Sequence, residues 1–208
     1  MKVAVLGGTG AMGGAVARQL SRNNVVIIGS RDPARAEEAA KLIKGTTGAD
    51  YSTATRGAEA AVFAIPYTAI GEAAGLANEL KGKLVISMFN PLKLEGGLLN
   101  YPLEKGSAAE ELAALLPESR VATAFNNVPS HMFAKEEPVP MDILVAADSK
   151  ETFDEAAALV RSVPNLRPLH VGPLSQAQMV ERMTALLLNL AKLNKTGALA
   201  TKFVSRKD

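Results

Sequence analysis

The sequence predicts an α/β fold: a doubly wound, mostly parallel sheet with helices on both faces, followed by a small C-terminal α/β domain. Three observations predict it. Short apolar runs (KVAVL at 2–6, VVII at 25–28, AAVFAI at 60–65, LVIS at 84–87 and VATAF at 121–125) alternate with helical stretches. Runs of this kind mark strands buried on both faces of a parallel sheet. A glycine cluster, GGTGAMGG, stands between the first run and the first helical stretch. Finally, the chain has 208 residues, 48% of them hydrophobic and 21% charged. That is enough apolar material for a self-sufficient core.

Each element follows from its residues. The β-branched run at 2–6 ends in the glycines, and 11–20 carries helical periodicity. The run at 25–28 is a second strand, and 32–44 a helix with Pro33 suited to its first turn. The strand at 60–65 stops at Pro66. Strands at 84–87 and 121–125 complete the sheet. Residues 91–105, rich in Gly, Leu and Pro, show no period and read as a loop, either one that moves over a ligand or an ordered surface connection.

After Phe125 the texture changes, which places a domain boundary there: 1–125 and 126–208. The second part reads as an irregular link with a short helix, a strand at 142–147, a helix at 150–163 and a strand at 166–171. Ser175 and Gln178 have capping-box spacing and predict a final helix starting there. Met179, Met183, Leu186, Leu190 and Leu193 form its apolar stripe, with Gly197 as terminator. The stripe either packs on its own domain or meets a second subunit. A homodimer is expected.

Composition excludes several classes of function. The net charge is +2 with scattered basic residues, and aromatics are only 4% with no Trp. A nucleic-acid groove needs clustered cations and stacking rings, so no nucleic-acid partner is expected. There is no Cys, which removes disulfides, thiolate nucleophiles and thiolate metal sites and fits a cytoplasmic protein. His131 and His170 are the two histidines and lie far apart, so no metal site is expected. The start turns polar at once and no run reaches membrane-spanning length, so no membrane is expected.

Gly8, Gly10 and Gly13 form G-x-G-x-x-G after a strand and before a helix, the context of a Rossmann dinucleotide site. Glycines let the backbone approach a pyrophosphate, and the N–H groups of the helix start favour its charge. Thr9 adds a hydroxyl. An NAD site places an acid at the end of the second strand to hold the ribose 2′-OH. Here the strand ends Gly29-Ser30-Arg31, and Asp32 is one residue late and better placed as a helix cap. Ser30, Arg31 and Arg35 are the donor set for a 2′-phosphate, so the expected cofactor is NADP.

These segments together resemble the archaeal and bacterial NADPH-dependent reductases of coenzyme F420, the F420H2:NADP oxidoreductases. The likeness covers the whole chain: VLGGTGAMG at 5–13, GSRDPARA at 29–36, IPY at 65–67, FNNVP at 125–129, and RPL followed by GPLS and a long helix over 167–194. The resemblance implies hydride transfer between NADP(H) and the 5-deazaflavin F420, with the deazaflavin between the two domains. It implies that Thr9, Gly10, Ala11 and Met12 hold the pyrophosphate. It places Ile65, Pro66 and Tyr67 beside the nicotinamide half and residues 125–129 across the ring.

Hydride transfer between two ring cofactors asks the protein for orientation and a dry site rather than for an acid or base. No catalytic residue is therefore named. Met88, Phe89, Asn127, Val128 and Pro129 are the candidates for the acceptor pocket. Three rivals stay open on the residues alone: reduction of another acceptor (flavin, ferric chelate or a small imine), a non-catalytic NADP(H) sensor, and a short-chain dehydrogenase using Tyr101 and Lys105. The last requires both on one helix face, and Pro102 opposes helix at Tyr101.

Overall fold

A computed structural model of the chain describes residues 1–205. In chain order the first half comprises β1 (Lys2–Leu6), α1 (Ala11–Leu20), β2 (Val25–Ser30), α2 (Pro33–Lys41), β3 (Thr46–Asp50), α3 (Tyr51–Arg56) and β4 (Ala60–Phe63). A 3-10 helix, Tyr67–Leu76, then leads through α4 (Ala77–Leu80) into β5 (Leu84–Ser87). The hairpin β6 (Lys93–Glu95) and β7 (Leu98–Asn100), α5 (Ala108–Leu115) and β8 (Arg120–Thr123) follow. The chain closes with α6 (Ser130–Phe133), β9 (Met141–Ala146), α7 (Lys150–Arg161), β10 (Leu166–Gly172), a short 3-10 turn Leu174–Gln176 and α8 (Ala177–Asn194).

Six parallel strands form the main sheet in the order β3-β2-β1-β4-β5-β8. This is a Rossmann-type doubly wound sheet. Its strand order reverses at β1, between β2 and β4, which opens a crevice at the carboxyl ends of these strands. Strand alternation splits the core into two layers. Val3 and Val5 join one layer with α1, α2 and α7; Ala4 and Leu6 join the other with Ala54, Phe63, Leu112 and Ala177. The first layer runs without a break from Val3 past Phe125 to Leu166. The C-terminal β9–α7–β10 unit is thus packed onto the same core. Its strands pair in parallel, and β9 touches β8 through the Ala146 N–H on Thr123 Oγ1 (3.0 Å) and the Ala122–Ala147 bridge.

Four stretches differ from, or go beyond, what the sequence predicts. The stretch 46–56 holds a strand and a helix that no apolar run announces: β3 (TTGAD) is the sheet's edge strand and is mostly half-exposed. The stretch 91–105 is partly a hairpin; Gly96 and Gly97 take φ +56 and +81, the left-handed pair that a tight two-residue turn requires. Ser175 does not cap α8; it lies inside the 3-10 turn, whose Leu174 N–H bonds instead to Asp148 Oδ1 (2.8 Å). The stripe of α8 does not pack on its own domain. Met179 and Leu193 are each 65% exposed, while Ala177, Val180, Glu181 and Ala185 face inward. Small residues and a carboxylate suit that inner face because Glu181 receives the α5 amides there. None of the described helices is long and apolar enough to cross a membrane.

Candidate functional site

The crevice at the reversal of strand order is a cleft of about 770 Å³. Its floor is the glycine turn. Gly7, at φ +82, donates its N–H to Gly29 O (3.0 Å), which ties the turn to β2. Gly10 N–H bonds back to Gly7 O (3.0 Å), and α1 starts at the next residue. A Cβ on Gly13 would stand 2.2 Å from Gly7 O, so only glycine lets the helix approach the turn so closely. No side chain caps α1. Its first-turn residues Ala11, Met12 and Gly13, whose N–H groups a helix cannot satisfy internally, line the cleft. A helix start of this kind offers backbone donors to an anion.

The end of β2 supplies the next wall. Ser30, Arg31, Asp32 and Arg35 line the cleft together. Asp32 is the N-cap of α2: its carboxylate accepts from Ala34 N (3.0 Å) and Arg35 N (3.4 Å). This commitment leaves the guanidinium groups of Arg31 and Arg35 as the charged donors at the strand end. The opposite wall is apolar, formed by Ala64, Ile65, Pro66 and Met88, with Asn90 as its polar side chain.

Of the residues singled out in the sequence, Thr9, Gly10, Ala11, Met12, Gly13, Ser30, Arg31, Arg35, Ile65, Pro66 and Met88 share this cleft. Six others do not line it. Gly8 lies behind the turn, where a Cβ would meet Ile28 at 2.9 Å. Tyr67 turns away: its hydroxyl donates to Glu111 Oε2 (2.7 Å), and burial together with Glu111 pushes it up to about 12. Phe89 is buried in the core against Phe63, with Tyr67 at its edge. Asn127, Val128 and Pro129 line a separate crevice of about 50 Å³ under α8. Asn127 is held there through its amide on Asp142 O (2.7 Å).

The structure adds groups that the sequence did not reveal. Asn90 stands at the inner end of the cleft. Its Nδ2 donates to Asn126 O (3.0 Å) and its Oδ1 faces Thr184 Oγ1 (3.2 Å), which ties the cleft to α8. Helix α8 is itself fastened by the fully buried Glu181, whose carboxylate accepts from Ala108 N (3.0 Å), Ala109 N (3.1 Å) and Tyr101 Oη (2.7 Å). Burial pushes the Glu181 carboxyl above its usual range, while these donors pull it down. Tyr101, bound this way and outside any helix, is held far above the usual phenol range by burial and Glu181. That opposes a Tyr101–Lys105 proton relay. At the outer end, Tyr51 and Glu72 border a second cavity of about 460 Å³ that shares Arg31, Tyr51, Ile65 and Pro66 with the first. Only the order of the strands brings 30–35, 51, 72 and 90 together, so no local signal could have found Tyr51, Glu72 or Asn90.

Fold and cleft define the class: a Rossmann-type dinucleotide-binding protein. The comparisons then give the family. The family model described as NADP oxidoreductase coenzyme F420-dependent matches residues 2–91. The F420-dependent NADP reductase of Methanocaldococcus jannaschii is 34% identical over 207 residues, covering 91% of this chain and 92% of its own. That of Methanothermobacter marburgensis is 36% identical, covering 94% of each. The chain belongs to the F420-dependent NADP reductase family. Among solved structures, a protein from Arthrobacter sp. FB24 carrying the same family description superposes with a TM-score of 0.86 over 99% of this chain and 100% of its own, at 23% identity. An imine reductase from Myxococcus stipitatus in complex with NADP+ does so at 0.66 over 94% of this chain and 63% of its own, at 18% identity. At these identities the likeness is one of fold.

Proposed function

We propose that this protein is an oxidoreductase that moves a hydride between NADP(H) and coenzyme F420, with both bound as substrates in the cleft at the strand-order reversal. One observation carries the reading: the uncapped start of α1 and the set Ser30, Arg31 and Arg35 line one cleft, and a pyrophosphate and a ribose 2′-phosphate call for these two kinds of donor. The residues fit NADP(H). The backbone at 11–13 supplies N–H donors, and Arg31 and Arg35 supply charge-assisted donors with no acid at the strand end to hold a bare 2′-OH.

Two ring carriers supply the chemistry when bound, the hydride passing directly between ring carbons. The chain's part is placement. Ile65, Pro66 and Met88 form a dry wall, and Asn90 offers an amide with which to orient a ring substituent. The ionisable side chains lining the cleft, Arg31, Asp32, Arg35 and Tyr51, belong to its adenosine end. A reaction that needs no protein acid or base at the ring carbons suits this distribution. The loop 126–129 acts from behind, through Asn126 O on Asn90. The outward stripe of α8 supports a homodimer.

Mixing the protein with NADPH and oxidised F420 tests the reading: the deazaflavin absorbance band should bleach, and NADH should support this far less. Arg31→Ala should weaken NADPH binding about 10- to 100-fold, the loss of one charge-assisted contact, and leave NADH unchanged. Equal affinity of the native chain for NADPH and NADH overturns the 2′-phosphate assignment. Absence of bleaching overturns the F420 assignment.

A further inference from the structure

The outer end of the cleft carries an ion pair that the phosphate site does not need. Arg31 Nη1 lies 3.6 Å from Glu72 Oε1. Arg31 comes from the turn after β2 and Glu72 from the 3-10 helix that follows β4, so the pair joins the two lips of the cleft. Tyr51 stands beside it: beyond the effect of burial, Glu72 pushes the Tyr51 hydroxyl up and Arg31 pulls it down. With Arg35 and Asp32, this end of the cleft holds two cationic and two anionic side chains and is formally neutral. Asp32 is committed to the α2 amides. Glu72 is the acid whose charge falls on Arg31.

We propose that Glu72 sets how strongly the site grips a 2′-phosphorylated nucleotide, because its carboxylate competes with the phosphate for Arg31. The inference rests on the reading of Arg31 as a phosphate ligand and adds a residue that tempers it. Two effects oppose each other, and their sizes decide the sign. A carboxylate can hold Arg31 ready for the phosphate, which aids binding. It must also yield part of its partner to the phosphate, and it repels the phosphate's own charge, which hinders binding. The Arg31 side chain is 78% exposed, and at 3.6 Å the contact is an ion pair without a good hydrogen bond. Little ordering is therefore gained. The repulsion acts on a group with nearly two negative charges about one guanidinium away, so it outweighs the ordering. Glu72 thus lowers affinity for NADP(H) but not for the unphosphorylated nucleotide. It eases nucleotide exchange and keeps discrimination below what two arginines give alone.

The test is calorimetric binding of 2′,5′-ADP and 5′-AMP to native protein and Glu72→Gln, at low and high salt. These probes carry no nicotinamide, so the result is independent of the hydride acceptor. Glu72→Gln should tighten 2′,5′-ADP about 3- to 10-fold, the scale of an exposed ion pair plus one added repulsion, and leave 5′-AMP within about 2-fold. The gain should shrink at high salt. In an Arg31→Ala background the same change should gain less, because there is no arginine left to compete for. Unchanged or weaker binding of 2′,5′-ADP overturns the proposal, as does an undiminished gain without Arg31. If the native protein does not prefer 2′,5′-ADP over 5′-AMP at all, the assignment of Arg31 as a phosphate ligand fails instead, a distinguishable outcome. Glu72 is one-third exposed, so the amide does not threaten the fold.

Discussion

At its glycine-turn end the cleft is made largely of backbone, from residues 7–13, with the side chains of Ser30, Arg31 and Arg35 beside it. At its inner end it is made of side chains from separate stretches. Asn90 is tied to Asn126 and Thr184, 36 and 94 residues away in sequence. The first end is constrained sterically: a Cβ at Gly7, Gly8 or Gly13 would come within 2.6, 2.9 and 2.2 Å of its neighbours. The second is positioned by a chain of hydrogen bonds that ends on α8. A backbone-built site should fail abruptly when altered, a side-chain-built site by degrees.

The sharpest break should come at Gly13→Ala. The added Cβ would meet Gly7 O at 2.2 Å and Gly8 Cα at 2.9 Å, both backbone that cannot rotate away. Stability should fall by about 3 kcal/mol, the upper range for overpacking, and NADPH binding should be lost. Denaturant unfolding and nucleotide titration read both; a variant that binds NADPH normally would refute the rigid-turn picture.

Next comes the fastening of α8. Glu181→Leu strips two α5 amides and the Tyr101 hydroxyl of their acceptor. Urea unfolding should show a loss of about 2–3 kcal/mol, with Glu181→Gln losing less because one acceptor oxygen remains. Equal losses would mean that packing, rather than the carboxylate's hydrogen bonds, secures the helix.

The smallest change should be kinetic. Asn90→Ala leaves the phosphate end intact, so KM for NADPH should stay within about 3-fold while kcat falls about 10-fold through poorer ring orientation. If KM rises and kcat holds, Asn90 belongs to nucleotide binding and the two ends are less separate than drawn.

The contrast also explains what could be read early. The runs at 2–6, 25–28, 60–65, 84–87 and 121–125 announce their strands because a strand covered on both faces is largely apolar, and each overlaps an observed strand. Edge strand β3 escaped notice because TTGAD has no such obligation. Strands β6 and β7 are three residues each, and β7 is steadied by the Asn189 side chain, which pairs with both Leu99 N and Leu99 O (2.8 Å each). Nothing local announces that. Periodicity marks the stripe of α8 but leaves open whether its own domain or a second subunit covers it, and the structure leaves most of the stripe exposed.

By itself the sequence determined the alternation of elements, the glycine turn, the placing of Ser30, Arg31 and Arg35 at the end of β2, and the cap at Asp32. Each depends on residues within one turn or one strand of each other, where chain connectivity already fixes the geometry. Tertiary structure decided which residues line the inner end of the cleft, that Asn127 and Phe89 stand away from it, and that Glu72 reaches Arg31. Those neighbours are set by sheet order and by how α8 packs, and sequence separation carries no distance once the chain has crossed the sheet.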